Sequence, residues 1–479
     1  MRTRSSPDRM EVGSAGDGPH SGNGQLSQCS KPLEAAVEEF PPSISEAESA
    51  AFKQAVIDQL AEVIGHKRPE NYENGLFPTR TLDYAYHMLK LLQRASFFNS
   101  KDAVVVSMPD MRRQLASLAE KKVPIFTQGE RSFHWEDKGM RPIEQVLGRW
   151  LQDKQKVQIN DPKRGPTEDS AVFRMGYNVK KRFLEGGLWP DHPWNSLDIA
   201  MPLLGTRIPS FLQARDAELL RFIRGRVMSG RGVGREFGTV ESEDAAKPLQ
   251  GARYWNDIEH WMLLAEGGAQ TLPHMDAHGL ATYLTIEEGD YGFGWLANPT
   301  EKERAAWLRD RTLVDGDKWR YAVLKAGQTV FFPAGTIHFV FRKKGPGGQS
   351  LVFGGHALLW SQLQHMLGII EEQIRYPDIT NEDVSTEIEG IKNVQYIQVL
   401  NQALKEGDPG IVELVGGEEE VERLREHYEN FLRKHLKRGK PVVRAATEEN
   451  KKRFRGEDLP PSESTAAKRG RKNKGKYDW

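Results

Sequence analysis

Residues 271–283, TLPHMDAHGLATY, set two histidines and an aspartate at alternating positions in a run that otherwise has the character of a β-strand. Side chains two residues apart on a strand point to the same face, so His274 and Asp276 can reach a single ion together. A third donor then comes from His278, which continues that face, or from His338 in FFPAGTIHFVF, another predicted strand just after a Pro/Gly turn. Three consecutive donors on one strand would strain a facial geometry, which favours His338. Two histidines and a carboxylate on one side of an ion leave the other side open, the arrangement that non-haem Fe(II) centres use to bind a cosubstrate and O₂. H-x-D alone is a short pattern that exposed strands show by chance, so the surrounding sequence has to decide.

Outward from this stretch, DIEHWMLLAEGG, LATYLTIE and YGFGWLA read as strands, as do the pieces of RYAVLKAGQTVFFPAGTIHFVF and QSLVFGGHALL between their Gly and Pro turns. Several short strands joined by tight turns predict a barrel or jelly roll. EKKVPIF and KVQIND are shorter strand-like runs, with RPIEQVLGRWLQ helical between them. From Ser45, SEAESAAFKQAVIDQLAEVI has apolar residues at helical spacing behind a Ser closely followed by acidic residues, and TRTLDYAYHMLKLLQRASFF and PDMRRQLASLAEKK continue the pattern. The chain is helical again from WSQLQHMLGIIEEQIR to EEVERLREHYENFLRKHL. The expected organisation is a disordered tail over 1–44, a helical region over 45–154, a β domain over 155–375, a helical region over 376–444 and a basic tail over 445–479.

With 479 residues the chain can bury a large core. Its formal net charge of +0 argues against a nucleic-acid coat or an acidic-tail protein, leaving local charge to matter. The single cysteine, Cys29, excludes intramolecular disulfides and Cys-based zinc fingers in this chain, and with them any PHD-like reader of its own. A reducing compartment fits that usage. No apolar run approaches the roughly 18 residues of a membrane span, so a soluble protein is expected. The Ser-, Gly- and Pro-rich start buries too little apolar surface to offset ordering. Near the other end, Lys451, Lys452 and Arg453 stand before a Pro/Ser-rich spacer and Lys468, Arg469, Arg471 and Lys472 after it. This spacing predicts a bipartite nuclear-import signal and hence a nuclear protein, and the same charge suits nonspecific contact with nucleic-acid phosphates.

TLPHMDAHGLATYLTIEEGDYGFGWLANPT, followed by LKAGQTVFFPAGTIHFVF and LVFGGHALL, resembles the JmjC domain, most closely the branch containing histone lysine demethylases. Order, intervening lengths and turn residues agree over about 255–375, and VQINDP and PWNSLDI look like the fainter lead-in strands from about 155. The resemblance implies a mixed α and β fold in which a double-stranded β-helix, a cupin-like jelly-roll barrel, is flanked by N- and C-terminal helices. It implies Fe(II) held by His274, Asp276 and His338, with 2-oxoglutarate as cosubstrate. Decarboxylation to succinate would drive hydroxylation of a substrate C–H bond, and a hydroxylated N-methyl group would lose formaldehyde. The implied partner is a protein substrate such as a histone tail carrying methyl-lysine. Thr271 matches a hydroxyl that bonds the distal carboxylate of 2-oxoglutarate in relatives, and Asn195 matches an Asn lining the cosubstrate pocket.

Two positions depart from the family. Most members pair the distal carboxylate with a Lys, but the matching position here is Tyr291, and no Lys occurs between Asp276 and Trp295. A buried carboxylate without a cationic partner is costly, so another group is expected to supply the charge. Arg342 shares a strand face with His338 and Val340, and four residues span only about 13 Å, within reach of a long side chain. Lys325 is the second candidate, and Tyr291 could add a hydroxyl. The other departure, His356, follows FGG where the demethylases commonly carry Asn; it reads equally as a pocket group or a core histidine. The missing Lys keeps two other functions in view, a catalytically silent chromatin scaffold and a cupin-like hydroxylase of another substrate. Tyr283 and the aromatic WMLL and YGFGW runs are expected to build the barrel wall.

Overall fold

The computed structural model describes residues 44–436 apart from 117–121, 129–134, 136, 138, 161, 166–170, 186–190, 201–208, 214, 223–258, 314–315, 346–347, 381–399, 401–403 and 408. The two expected tails, with Cys29 and the basic clusters Lys451–Arg453 and Lys468–Lys472, lie outside the described residues except for Ile44.

Capping residues start the helices where the sequence places them. The Ser45 hydroxyl accepts the Glu48 amide at 3.3 Å and opens α1, Glu46–Ile64, with Glu46 and Glu48 in the first turn, where carboxylates favour the positive end of the helix dipole. Thr79 caps α2, Arg80–Arg94, in the same way through the Leu82 amide. The remaining α-helices among the described residues are α3 (Met108–Ala116), α4 (Pro142–Gln145), α5 (Gly176–Leu184), α6 (Glu301–Arg309), α7 (Leu363–Arg375), α8 (Pro409–Val415) and α9 (Glu418–Leu436). Among the described residues no helix is long and apolar enough to cross a membrane.

The strands are β1 (Ser96–Phe97), β2 (Val104–Ser107), β3 (Ile125–Gln128), β4 (Lys156–Asn160), β5 (Ala171–Met175), β6 (Asn195–Ala200), β7 (Trp261–Ala265), β8 (Thr271–His274), β9 (Ala281–Glu288), β10 (Tyr291–Leu296), β11 (Trp319–Leu324), β12 (Gln328–Phe332), β13 (His338–Phe341) and β14 (Ser350–Ala357). They form a five-stranded sheet in the order β1-β11-β10-β13-β8 and a nine-stranded sheet in the order β2-β3-β12-β9-β14-β7-β6-β4-β5. All neighbours are antiparallel except the β1–β11 and β2–β3 pairs. Among the described residues both sheets are open, and no strand closes them into a barrel.

The segment 45–154 is therefore more than helical. β1 pairs with β11, and β2 and β3 extend the large sheet beyond β12, so pairing crosses the expected boundary at 155. β3 begins in the strand-like run EKKVPIF, whereas β1 and β2, of two and four residues, are too short to show a period.

Alternation sorts the longer strands. Tyr291, Phe293 and Trp295 of β10, Ala322 and Leu324 of β11, and Val340 of β13 pack with Leu284 and Ile286 of β9 and Val330 and Phe332 of β12, so this core is shared by both sheets. Residues of opposite parity, Trp319, Tyr321, Val323, Phe339 and Phe341, pack under α1 and α2. On the far side of the large sheet, Met262, Leu264 and Phe353 pack against Val179 and Phe183 of α5. A separate cluster joins Leu363, Met366 and Ile370 of α7 to Leu424, Tyr428 and Phe431 of α9.

The glycines of YGFGW follow from this sorting. A Cβ at Gly294 would lie 2.0 Å from the ring of Phe339, the residue opposite it on β13, so that ring covers the bare backbone. Gly294→Ala is expected to lower stability by about 3 kcal/mol through overpacking, read as an earlier midpoint in denaturant unfolding; an unchanged midpoint would contradict the packing described.

Candidate metal centre

β8 and β13 are antiparallel neighbours with His274 directly opposite His338. The chain turns immediately beyond. Asp276 keeps extended backbone and precedes a single helical turn, Ala277–Gly279, in which His278 and Gly279 have left-handed φ of 61° and 63°. A Cβ at Gly279 would meet the Met366 carbonyl at 2.7 Å, so the close approach of α7 requires glycine there. TLPHMDAHGLATY is thus two strands joined by a turn rather than one strand. The alternating register reaches Asp276 and stops, and His278 is buried in the turn instead of continuing the ligand face.

Three donors converge. His274 Nε2 lies 3.9 Å and His338 Nε2 lies 3.7 Å from Asp276 Oδ1, and ligand atoms of the three residues all fall within 4.8 Å of one another. Their aim is set by the backbone: His274 Nδ1 lies 2.9 Å from the Leu272 carbonyl, and His338 Nδ1 lies 3.1 Å from the Thr336 carbonyl. A carbonyl only accepts, so each Nδ1 carries a proton and each Nε2 is the atom left to ligate. The Asp276 carboxylate accepts the Thr282 hydroxyl through Oδ2, and its backbone carbonyl accepts the Gln373 amide at 2.7 Å.

Electrostatics favour the ligating forms. Burial and the neighbouring His338 depress His274 to about 3, outweighing the attraction of Asp276, so the imidazole is neutral at pH 7. Burial alone would raise Asp276, but His338, His356, His274 and the Thr282 bond together hold it below the ordinary carboxylate value. The group is therefore a neutral imidazole at His274, a second imidazole at His338 and one buried anion, with no Lys or Arg paired to that anion among the described residues. That set fits a divalent cation, which would supply the charge the anion lacks.

The donors line a small cavity walled by Trp261, Leu263, Leu284, Phe332 and Val340 and carrying Thr271, Tyr291, Arg342 and His356 as polar groups. Arg342 is 1% exposed. Its Nε donates to Ser350 Oγ at 2.8 Å and its Nη1 to the Ala269 carbonyl at 3.3 Å, while its guanidinium lies 5.0 Å from the Tyr291 ring centre. Nη2 has no acceptor and no carboxylate pairs with the side chain among the described residues. Burial pushes the Tyr291 hydroxyl up to about 12, with Arg342 opposing the rise.

Of the other expected cosubstrate contacts, Thr271 lines the cavity, and Asn195 reaches it indirectly, donating from Nδ2 to Thr271 Oγ1 at 3.2 Å. Lys325 does not come to the site. It follows the inward-facing Leu324 and lies outside the core, paired with Glu48 at 2.7 Å. Lys325→Ala is expected to leave metal and cosubstrate affinity unchanged and to shift stability by less than about 1 kcal/mol, by calorimetric titration and thermal unfolding; a loss of cosubstrate affinity would return Lys325 to the site. His356 proves to be a cavity residue, 3.0 Å from Thr282 Oγ1 through Nδ1. Tyr283 packs with Phe211 and Phe331 on the other face of β9. Sequence reasoning missed Thr282, Gln373 and Ser350, whose roles depend on the turn at His278 and on strand register.

A scan against models of known protein families finds no match for this chain.

Proposed function

We propose that the chain is an Fe(II)- and 2-oxoglutarate-dependent oxygenase of JmjC type, its two sheets forming a double-stranded β-helix, which hydroxylates or demethylates a protein substrate, methyl-lysine on a histone tail being the class to test first. The observation that carries this reading is one cavity containing both a three-donor group of the facial type and a buried guanidinium with no anionic partner among the described residues. The first suits a metal with open positions, and the second suits an acid.

In this reading His274, Asp276 and His338 hold the iron. Bound iron and 2-oxoglutarate would supply the oxidising chemistry with O₂ as oxidant, one oxygen atom going into succinate as CO₂ is released and the other into the substrate C–H bond; an N-methyl group so hydroxylated would leave as formaldehyde, its hydroxyl proton passing to the amine. The chain's own work is positional. The carbonyls of Leu272 and Thr336 fix both imidazole tautomers. Arg342 offers Nη2 to the distal carboxylate, in place of the family Lys, with Tyr291 beneath it. Thr271, oriented by Asn195, adds a hydroxyl, and the apolar wall excludes water so that these charges act at full strength. The basic clusters at Lys451–Arg453 and Lys468–Lys472 support nuclear localisation and sequence-independent contact with nucleic acid.

The test is 2-oxoglutarate turnover to succinate by the Fe(II)-loaded chain, with and without methylated histone peptides. The expected result is turnover stimulated by a peptide, with formaldehyde released. Metal binding without turnover on any peptide would favour a silent scaffold, and turnover indifferent to histone peptides would point to a different substrate.

A further inference from the structure

We infer that Thr282 and His356 act as one positioning pair that makes Asp276 a one-oxygen ligand. The inference rests on the reading that His274, Asp276 and His338 hold a metal ion. Thr282 and His356 face each other across β9 and β14, and both line the cavity. The Thr282 hydroxyl has a single proton. Asp276 Oδ2 can only accept, so that proton goes to it, and the 3.0 Å contact with His356 must run from Nδ1–H into Oγ1. His356 thereby fixes the direction in which the hydroxyl points, and each bond polarises the next.

The consequence falls on the carboxylate. Oδ2 is committed to Thr282, while Oδ1 is the oxygen that faces both imidazole Nε2 atoms. Rotating Asp276 to put both oxygens on an ion would break the Thr282 bond inside a buried cavity, leaving a hydroxyl without its acceptor. An octahedral ion held by three protein atoms keeps three positions for reagents, and a second oxygen from Asp276 would take one of them. The pair thus protects an open position as well as ligand aim. His356 suits this role because a histidine whose Nδ1 carries the proton serves as a fixed donor, and the T-shaped contact of its ring with Trp261, 5.5 Å between centres, helps hold its plane.

The probe is Co(II) alone, titrated into the full chain, reading affinity and the visible absorption bands that report coordination number. Thr282→Val keeps the shape of the side chain and removes the donor. It is expected to weaken Co(II) binding roughly 10- to 100-fold, the usual effect of losing an outer partner of a ligand, and to change the band positions. Thr282→Ser should restore both. His356→Phe should move the spectrum in the same direction, and His356→Asn, whose amide can donate near the position of Nδ1, should restore it. Unchanged affinity and spectrum in Thr282→Val, or failure of Thr282→Ser to recover them, would overturn the inference. If the unsubstituted chain binds no Co(II), the metal reading itself falls and this inference with it, an outcome visible before any variant is made.

Discussion

Asp276→Ala is expected to abolish metal binding without harming the fold. Asp276 is the anion of the group, and His274 and His338 contribute imidazole nitrogens. Losing an outer partner of a ligand typically costs roughly 10–100-fold in affinity, so losing the charged ligand itself should cost on the order of 1000-fold. The metal-free chain should respond differently. There the neighbours more than offset the burial of the carboxylate, so its removal should lower the melting temperature modestly rather than unfold the chain. The two effects separate in thermal unfolding. At metal concentrations about 100-fold above the dissociation constant the unsubstituted chain should gain about 2.7 kcal/mol, and Asp276→Ala should gain nothing. A variant that kept the metal-dependent gain would show that Asp276 is not a ligand.

Arg342→Met is expected to lower 2-oxoglutarate affinity while sparing metal affinity. The guanidinium already carries the cost of burial and has one nitrogen without an acceptor among the described residues, so an incoming carboxylate gains a charge-assisted bond for which no new cation must be desolvated. Such bonds contribute about 1.5–3 kcal/mol, which corresponds to roughly 10- to 100-fold in affinity. Methionine fills similar space, and exchanging a buried charge for an apolar group is often neutral for stability, so the folded population should hold. Arg342→Lys should not rescue fully, because an ammonium cannot reproduce the fork that reaches both Ser350 and the Ala269 carbonyl. Calorimetric titration of 2-oxoglutarate with Mn(II) in place of iron reads the effect. Unchanged affinity would mean that Arg342 does not anchor the cosubstrate.

Local signals carried much of this architecture into the sequence. The Ser45 cap, the helical spacing of α1 and α2 and the strand character of β9 to β14 between their Gly and Pro turns each depend on neighbours a few residues apart, and all were readable. The His274–Asp276 pair was readable for the same reason, since a two-residue period needs only an extended backbone up to Asp276. What lay beyond reach depends on contacts distant in the chain. The left-handed turn at His278 is set where α7 crosses Gly279, some ninety residues later. Arg342 and Lys325 both met the requirement for a cation, and only the facing of their strands, one side chain inward and the other against Glu48, separates them. The Thr282–His356 contact likewise exists only through the β9–β14 register.

The most direct test is a crystal of the full chain soaked with Mn(II) and measured for anomalous scattering. The expected map has one strong peak bonded to His274 Nε2, Asp276 Oδ1 and His338 Nε2. A peak elsewhere, or an imidazole at residue 338 turned away from the other two donors, would contradict the assignment of this centre.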